Sequence, residues 1–344
     1  MCSVYEMQGA GKSSSKAILT KRTRAGLRRI GSYVKVTAPS TIANLGPGFD
    51  VFGLAHSAFR DVLEIEITDG RGIDIKVDGV DSKLISCQPM KNTAGYVANL
   101  LVNNLPSGCG LGIRIKKGVP VGRGLGSSAA SAAACIVGLN RLLRLGLPNN
   151  QMVSLAAKGE IVSAGSEHAD NVAASILGGF IIIQSYNPLS IISLDPPSNI
   201  GIALAIPKIP TVEMKTEKAR KILPSNIPIK SFVHNVGHAS SMVAGIMLGD
   251  VEMMGQGMFD VIVEPVRSKL IPGYNNVKIS ALRAGASGVA ISGAGHTMVA
   301  IVDELKAPTK KVAESMKKAI ENEGIACETF TSKPSRGAEI IEEH

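Results

Sequence analysis

Tryptophan is absent from the 344-residue sequence, and aromatic residues together make up only 3% of it. A surface that stacks successive bases of single-stranded nucleic acid needs aromatic planes, so the composition argues against that class. Cysteine is equally uninformative as a framework. Cys2, Cys87, Cys109, Cys135 and Cys327 are scattered, odd in number and contain no Cys-x-x-Cys pair. That pattern excludes a disulfide scaffold or a zinc cluster and points to a reducing compartment. Long apolar runs are also missing: the nearest, residues 176–183, is far short of a membrane-spanning helix. No internal repeat is evident. The expectation is a cytoplasmic protein with no membrane partner, long enough for two domains.

Charge is abundant but unevenly placed. The formal net charge is +9, which would ordinarily invite a nucleic-acid reading. Within residues 1–31, however, Lys12, Lys16, Lys21, Arg22, Arg24, Arg28 and Arg29 stand against Glu6 alone, so this stretch carries +6 and the rest only +3. The basicity belongs to an N-terminal extension, read as disordered, and the remainder is nearly neutral. Its Ser-rich, acid-poor composition also fits a transit peptide, which would make the location an organelle. Gln8-Gly-Ala-Gly-Lys-Ser13 imitates a phosphate loop but lacks the first glycine and a preceding strand.

The stretch with the most chemistry in it is 120–131, Pro-Val-Gly-Arg-Gly-Leu-Gly-Ser-Ser-Ala-Ala-Ser. Glycines at alternate positions let a backbone turn tightly and approach a ligand closely. Residues 110–117 before it alternate apolar and polar and read as a strand. Behind it, Ser127 is placed to cap an alanine-rich helix over 128–145. Strand, glycine loop and helix start aim backbone N–H groups and a helix dipole at one point, which suits a phosphate. Lys117 and Arg123 flank the loop. The Gly-Lys-Ser/Thr of a Walker A loop is absent.

The rest of the chain reads as alternating helices and strands. A strand over 33–38 is expected to stop at Pro39, followed by a long loop over 39–53 that carries Asn44 and Asp50. Strands are expected over 62–68 and 73–77, and a helix from Asn92-Thr93. One helix over 149–164 contains Glu160, and a polar loop follows over 165–171. Strands over 179–186 and 201–206 flank a Pro-rich stretch, 188–197, taken as the domain junction. Beyond it come helices over 211–223, with Thr216 and Arg220 on one face, and over 230–248. The latter contains His234 and His238, four apart, but no accompanying carboxylate as in His-Glu-x-x-His, so a helix-surface pair is the better reading. A helix over 275–284, strands over 288–292 and 297–303, a helix over 308–323 and a strand over 325–331 complete the run. Ser292-Gly-Ala-Gly-His296 makes a second glycine turn between strands.

In this order the motifs resemble those of the GHMP small-molecule kinases, and specifically the homoserine kinase branch. The segment 38–53, Glu167-His-Ala-Asp-Asn171, Glu264-Pro-Val-Arg267 and Ser292-Gly-Ala-Gly295 carry that resemblance. The Gly-Glu-His element of galactokinases and mevalonate kinases is missing from the first motif. The resemblance runs from about Ser32 to the C terminus. It implies an α+β fold of two domains: residues 32–195 like ribosomal protein S5 domain 2, residues 196–344 ferredoxin-like, with the site between them. One departure is that His296-Thr297 stands where Pro-Ser/Thr usually follows the glycines.

The resemblance also implies ATP-dependent phosphorylation of L-homoserine, a step of threonine biosynthesis, with ATP and Mg²⁺ as cofactors. Nucleotide contacts would fall on Pro120, Val121, Gly122, Arg123, Gly124, Leu125, Gly126, Ser127, Ser128, Ala129 and Ala130, with Asn92 at the adenine end. Ser128 and Glu160 would hold the metal. Asp170, Lys117 and Arg220 would be catalytic. Asn44, Asp50, His168, Asn171, Thr216, Arg220 and Arg267 would bind homoserine, the arginines gripping its carboxylate and Asp50 its ammonium. The implied partner is a small molecule rather than nucleic acid, and a homodimer is compatible. Readings that remain beside this one are a relative acting on mevalonate or shikimate and a catalytically silent ATP-binding protein.

Overall fold

The computed structural model describes residues 30–165, 167–210 and 215–344. The basic extension up to residue 29, Ser166 of the polar loop and the first residues of the helix expected from 211 lie outside them.

β1 (Tyr33–Asn44) does not end at Pro39 but runs on to Asn44, antiparallel to β2 (Gly48–Asp69). A proline has no N–H to give to a ladder and is accommodated at bulges. Here the β1–β2 register shifts between Pro39 and Ser40, which absorbs the defect. The expected loop over 39–53 is therefore mostly a hairpin, turned at residues 45–47. Its side chains are small or aliphatic because the hairpin is covered: Ala38, Ile42, Leu45 and Leu54 are all buried. Asn44, Leu45 and Asp50 have φ of 71°, 51° and 59°, a region L-residues occupy only when their surroundings impose it.

β3 (Ile73–Gly79) pairs parallel with β4 (Cys109–Lys117), and the crossover that a parallel pair requires is supplied by α1 (Thr93–Leu101). Four further helices follow: α2 (Ser127–Leu142), α3 (Asn149–Gly159), α4 (Ile161–Ala164) and α5 (Asp170–Leu177). The single helix expected over 149–164 is thus two, broken at Glu160. β5 (Phe180–Tyr186) pairs with β2 and with β6 (Leu189–Leu194), so much of the Pro-rich stretch taken as a junction is the second arm of a hairpin. α2 is alanine-rich because it packs against β1 and β2 on one side and α1, α3 and α5 around the rest. A side chain at Gly138 would run into Val34, Val36 and Ile65.

The second sheet begins with β7 (Ile200–Pro207), followed by α6 (Lys215–Lys221), α7 (Ile229–Leu248), α8 (Val251–Gln256), α9 (Glu264–Arg267) and α10 (Tyr274–Arg283). β8 (Gly288–Ile291), β9 (Met298–Asp303), α11 (Thr309–Glu321) and β10 (Cys327–Ser332) complete it. The strand order β10-β7-β9-β8 is antiparallel throughout. With α10 and α11 as its crossover helices, this is the ferredoxin-like arrangement. α10 and α11 cover one face with their own apolar cluster, whereas Met242, Ile246 and Met254 of α7 and α8 belong to the larger core shared with the first sheet. The chain then returns. β11 (Glu339–Glu343) pairs with β1, giving a first sheet in the order β11-β1-β2-β4-β3. β6 of the first sheet ends at Leu194 and β7 of the second begins at Ile200, while β11 returns to the first sheet.

Candidate active site

A cavity of about 690 Å³ opens between the two sheets. Three tight turns meet at its floor. The loop between β4 and α2 is bound to the β1–β2 hairpin by the Thr41 N–H donating to Leu125 O at 3.1 Å. It is bound to the loop between β8 and β9 by Ser292 Oγ donating to Gly124 O at 2.6 Å and the Thr297 N–H to Arg123 O at 3.3 Å. Gly293 N–H and Asn44 Nδ2 close the triangle, donating to Ala43 O at 3.2 Å and Gly293 O at 3.1 Å. Gly124 has φ +80°, and a Cβ there would collide with the Ser292 carbonyl oxygen. α2 starts from Gly126, and the expected Ser127 cap is not made: the Ser127 hydroxyl donates instead to Val119 O at 2.9 Å.

Asp61 fastens this loop from below, and nothing in the sequence singled it out. Its carboxylate accepts the Gly118 and Val119 N–H groups, each at 3.0 Å, and the Ser131 hydroxyl at 2.8 Å. It also pairs with Lys117, both side chains being essentially inaccessible to solvent. The Lys117 ammonium donates further to Ser127 O at 2.7 Å and Ser131 Oγ at 2.9 Å. Three donors meet three acceptors. Although Lys117 lines the cavity, its charge is engaged at the start of α2 rather than held out toward a ligand. Arg123, expected beside the phosphates, turns away and donates to Ile209 O at 2.6 Å and Pro207 O at 3.3 Å.

Ser128 and Glu160 face each other across the cavity wall, the hydroxyl donating to Glu160 Oε2 at 2.8 Å. Oε1 of the same carboxylate is buried without a partner among the described residues. Burial pushes Glu160 up to about 7, the Ser128 hydrogen bond opposing this and the nearby Asp170 adding to it. Asp170, at the start of α5, is raised to about 7 by burial and then by the charge of Asp50. A hydroxyl beside a buried carboxylate with one idle oxygen is the donor set a small hard cation takes, the remaining positions going to water and phosphate oxygens. The residues present therefore fit Mg²⁺.

The opposite end of the cavity is cationic. Nη2 of Arg220 reaches both Asp50 oxygens, at 2.7 and 2.6 Å, and lies 3.1 Å from His168 Nδ1. A guanidinium only donates, so Nδ1 accepts and the ring proton sits on Nε2. Burial holds His168 below its usual range, with the Asp50 carboxylate opposing. Arg220 Nε is buried with no acceptor among the described residues. Arg267 is buried, donates to Gly293 O at 2.9 Å and is lowered to about 10 by burial. Both guanidiniums lie over the Phe49 ring, whose centre is 5.0 Å from Arg220 and 5.1 Å from Arg267. Two cations can share a small space because each faces an aromatic quadrupole and Asp50 balances the charge.

Of the residues expected at the site, Asn44, Asp50, Asn92, Ser128, Glu160, His168, Asp170, Asn171, Thr216, Arg220 and Arg267 all line this one cavity, with Val121, Gly122, Leu125 and Ser127 of the loop. Pro120, Arg123, Ala129 and Ala130 do not line it, and the two alanines lie in the core. Asn92 is occupied locally: its Oδ1 accepts the Gly95 N–H and caps α1, while Nδ2 donates to Ser86 O. Asn171 accepts the Thr41 hydroxyl at 2.8 Å. His234 and His238 stack on each other with ring centres 3.9 Å apart, and no group of three or more metal-ligating side chains occurs among the described residues. Phe49 was legible only as part of a motif. Asp61 lies in a strand interior, where a lone acid gives no signal.

Residues 92–179 match the GHMP kinases N terminal domain, and residues 242–325 match GHMP kinases C terminal. A homoserine kinase of Methanococcus vannielii is 43% identical over 269 residues, 78% of this chain and 87% of that protein. One from Haloarcula marismortui is 41% identical over 306 residues, 89% of this chain and 99% of that one. The crystal structure of a homoserine kinase from Cytophaga hutchinsonii superposes with a TM-score of 0.83 at 34% identity, covering 92% of this chain and 99% of its own.

Proposed function

Since the chain belongs to the GHMP kinase family, we propose that it transfers the γ-phosphoryl group of ATP to the side-chain hydroxyl of L-homoserine. The products are ADP and O-phospho-L-homoserine, an intermediate of threonine biosynthesis. The observation that carries this reading is that one cavity holds both a backbone anion cradle and, facing it, a cluster suited to an amino acid zwitterion.

Backbone N–H groups of the 122–128 loop and the dipole of α2 receive the phosphates. Ser128 and Glu160 would hold Mg²⁺, whose positive charge would offset that of the nucleotide's phosphates. Arg220 and Arg267 receive the α-carboxylate, the idle Nε–H of Arg220 among the donors. Asp50 then exchanges part of its contact with Arg220 for the substrate ammonium, so neither charge is left alone. Asp170, poised near neutrality, accepts the hydroxyl proton as phosphoryl transfer proceeds. Mevalonate and shikimate carry a carboxylate but no ammonium, and would leave Asp50 unmatched.

A coupled ADP-release assay across homoserine, mevalonate, shikimate and galactose tests the assignment, with Arg220→Lys as the diagnostic variant. Lysine keeps the charge but loses the planar fork. KM for homoserine should rise by roughly 10- to 100-fold, the scale of a hydrogen bond to a charged group, while KM for ATP moves little. If an analogue of homoserine lacking the carboxylate were turned over as well as homoserine, the reading would fail.

A further inference from the structure

The β1–β2 register jumps from Ala43 opposite Gly53 to Asn44 opposite Gly48, so residues 49–52 bulge out of that ladder. The bulge carries Phe49 and Asp50 into the cavity wall. Asp50 has φ 59° there, a conformation that an L-residue keeps only where its neighbours impose it. Each of its polar groups is engaged. The N–H donates to Asn44 Oδ1 at 3.2 Å, and the carboxylate accepts from Arg220. The backbone carbonyl accepts the Tyr186 hydroxyl at 2.8 Å. Tyr186 ends β5, beyond the Phe52–Ile182 pair with β2, and does not itself line the cavity.

We propose that Tyr186 is a positioning residue for the amino-acid end of the site: its hydroxyl fixes the Asp50 backbone so that the carboxylate faces the substrate ammonium. This rests on the homoserine reading above. Without the phenol, the bulge would be free to rotate about the Asp50 backbone, and the carboxylate, borne on the same Cα, would turn with it. The same hydroxyl interacts with the Ala169 N–H, which lies between His168 and Asp170. One side chain thus ties the bulge to the loop that supplies the other polar groups at this end. The backbones behind it are already close, since a Cβ at Gly53 would strike the Asp170 carbonyl oxygen. Burial, and then the charges of Asp170 and Asp50, hold the phenol above its usual range, so it stays a donor at neutral pH. The anion cradle is held separately, by Asp61, Thr41 and Ser292. Loss of the hydroxyl should therefore be felt by homoserine and not by ATP.

Steady-state kinetics on Tyr186→Phe test this in the full chain. The ring is 41% exposed and loses one oxygen only, and circular dichroism checks that the fold is intact. kcat/KM for homoserine should fall by roughly 3- to 10-fold, the scale of one neutral hydrogen bond. Most of the fall should come from KM, while KM for ATP stays at its wild-type value. A double-mutant cycle with Asp50→Asn separates positioning from general support of the fold. Asparagine tolerates the left-handed backbone but carries no charge, so in that background Tyr186→Phe should cost little more. An equal loss in both backgrounds, or a matching rise in KM for ATP, would overturn the proposal. So would wild-type kcat/KM in Tyr186→Phe when Asp50→Asn is impaired, and that result would leave the homoserine reading standing. A wild type inert toward homoserine would overturn the substrate reading, and this proposal with it.

Discussion

At the scale of a single residue, Glu160 carries an electrostatic load. With one oxygen on Ser128 and the other idle, burial raises its pKa from 4.5 to about 7. A carboxyl whose pKa is raised by folding binds its proton more tightly in the folded state. Its contribution is fully present below pH 4.5 and is lost as the pH climbs through about 7. Above that pH, without a divalent cation, the folded protein carries a buried charge with little compensation. Glu160→Gln should therefore make the protein more stable than wild type above pH 7 in chelator, by about 3 kcal/mol, with the difference shrinking toward pH 4.5. Added Mg²⁺ should stabilise the wild type and not the variant. Urea unfolding at several pH values reads this directly, and a variant less stable than wild type in chelator would show Glu160 to be a structural helix residue. Phosphoryl transfer by the variant should be severely reduced with homoserine binding largely intact.

At the scale of elements, the site is the place where three turns are bolted to one another. The 122–128 loop does not rely on its glycines alone for its shape. Asp61 of β2 and Lys117 of β4 fix its root, Thr41 of β1 fixes its middle and Ser292 fixes its crest. Gly124→Ala tests this coupling. It adds one methyl group at φ +80°, aimed at the Ser292 carbonyl, so either the loop or the β8–β9 turn must give way. We expect a loss of about 1–3 kcal/mol in stability and a rise in KM for ATP larger than that for homoserine. Equal effects on both substrates would mean that the turn, with the Arg267 anchor on Gly293, moves instead of the phosphate loop.

For the whole molecule, the connection between the two sheets matters more than either alone. β11 leaves the second domain and completes the first sheet, where Glu343 takes both an Nε–H and an Nη2–H from Arg141 and His344 stacks on Tyr33 at 4.7 Å. The strand closes the chain onto itself and lies outside the cavity. Deleting residues 339–344 should lower stability by roughly 1–3 kcal/mol through lost backbone pairing and an uncovered edge. KM for both substrates should stay unchanged in the folded fraction. Thermal unfolding and steady-state kinetics on the truncated protein separate these effects, and a selective loss of homoserine binding would mean that the strand positions the site.

What the sequence determined by itself was everything carried by short-range chemistry. Alternation marked β4, the glycine pattern marked the turn at 122–126, and the quoted motifs named many of the side chains that line the cavity. It could not say where Pro39 stood relative to a ladder, because a bulge is a property of two paired strands. Nor could it find Asp61, whose role exists only because β2 and β4 lie side by side, or the engagement of Lys117 and Arg123, whose charges look alike in sequence whether they face a ligand or a carbonyl. The return of β11 was invisible for the same reason: five exposed residues carry no periodic signature, and only an open edge of β1 gives them a partner. Contacts between residues distant in the chain are decided by which surfaces the fold brings together, and that is information the tertiary structure alone holds.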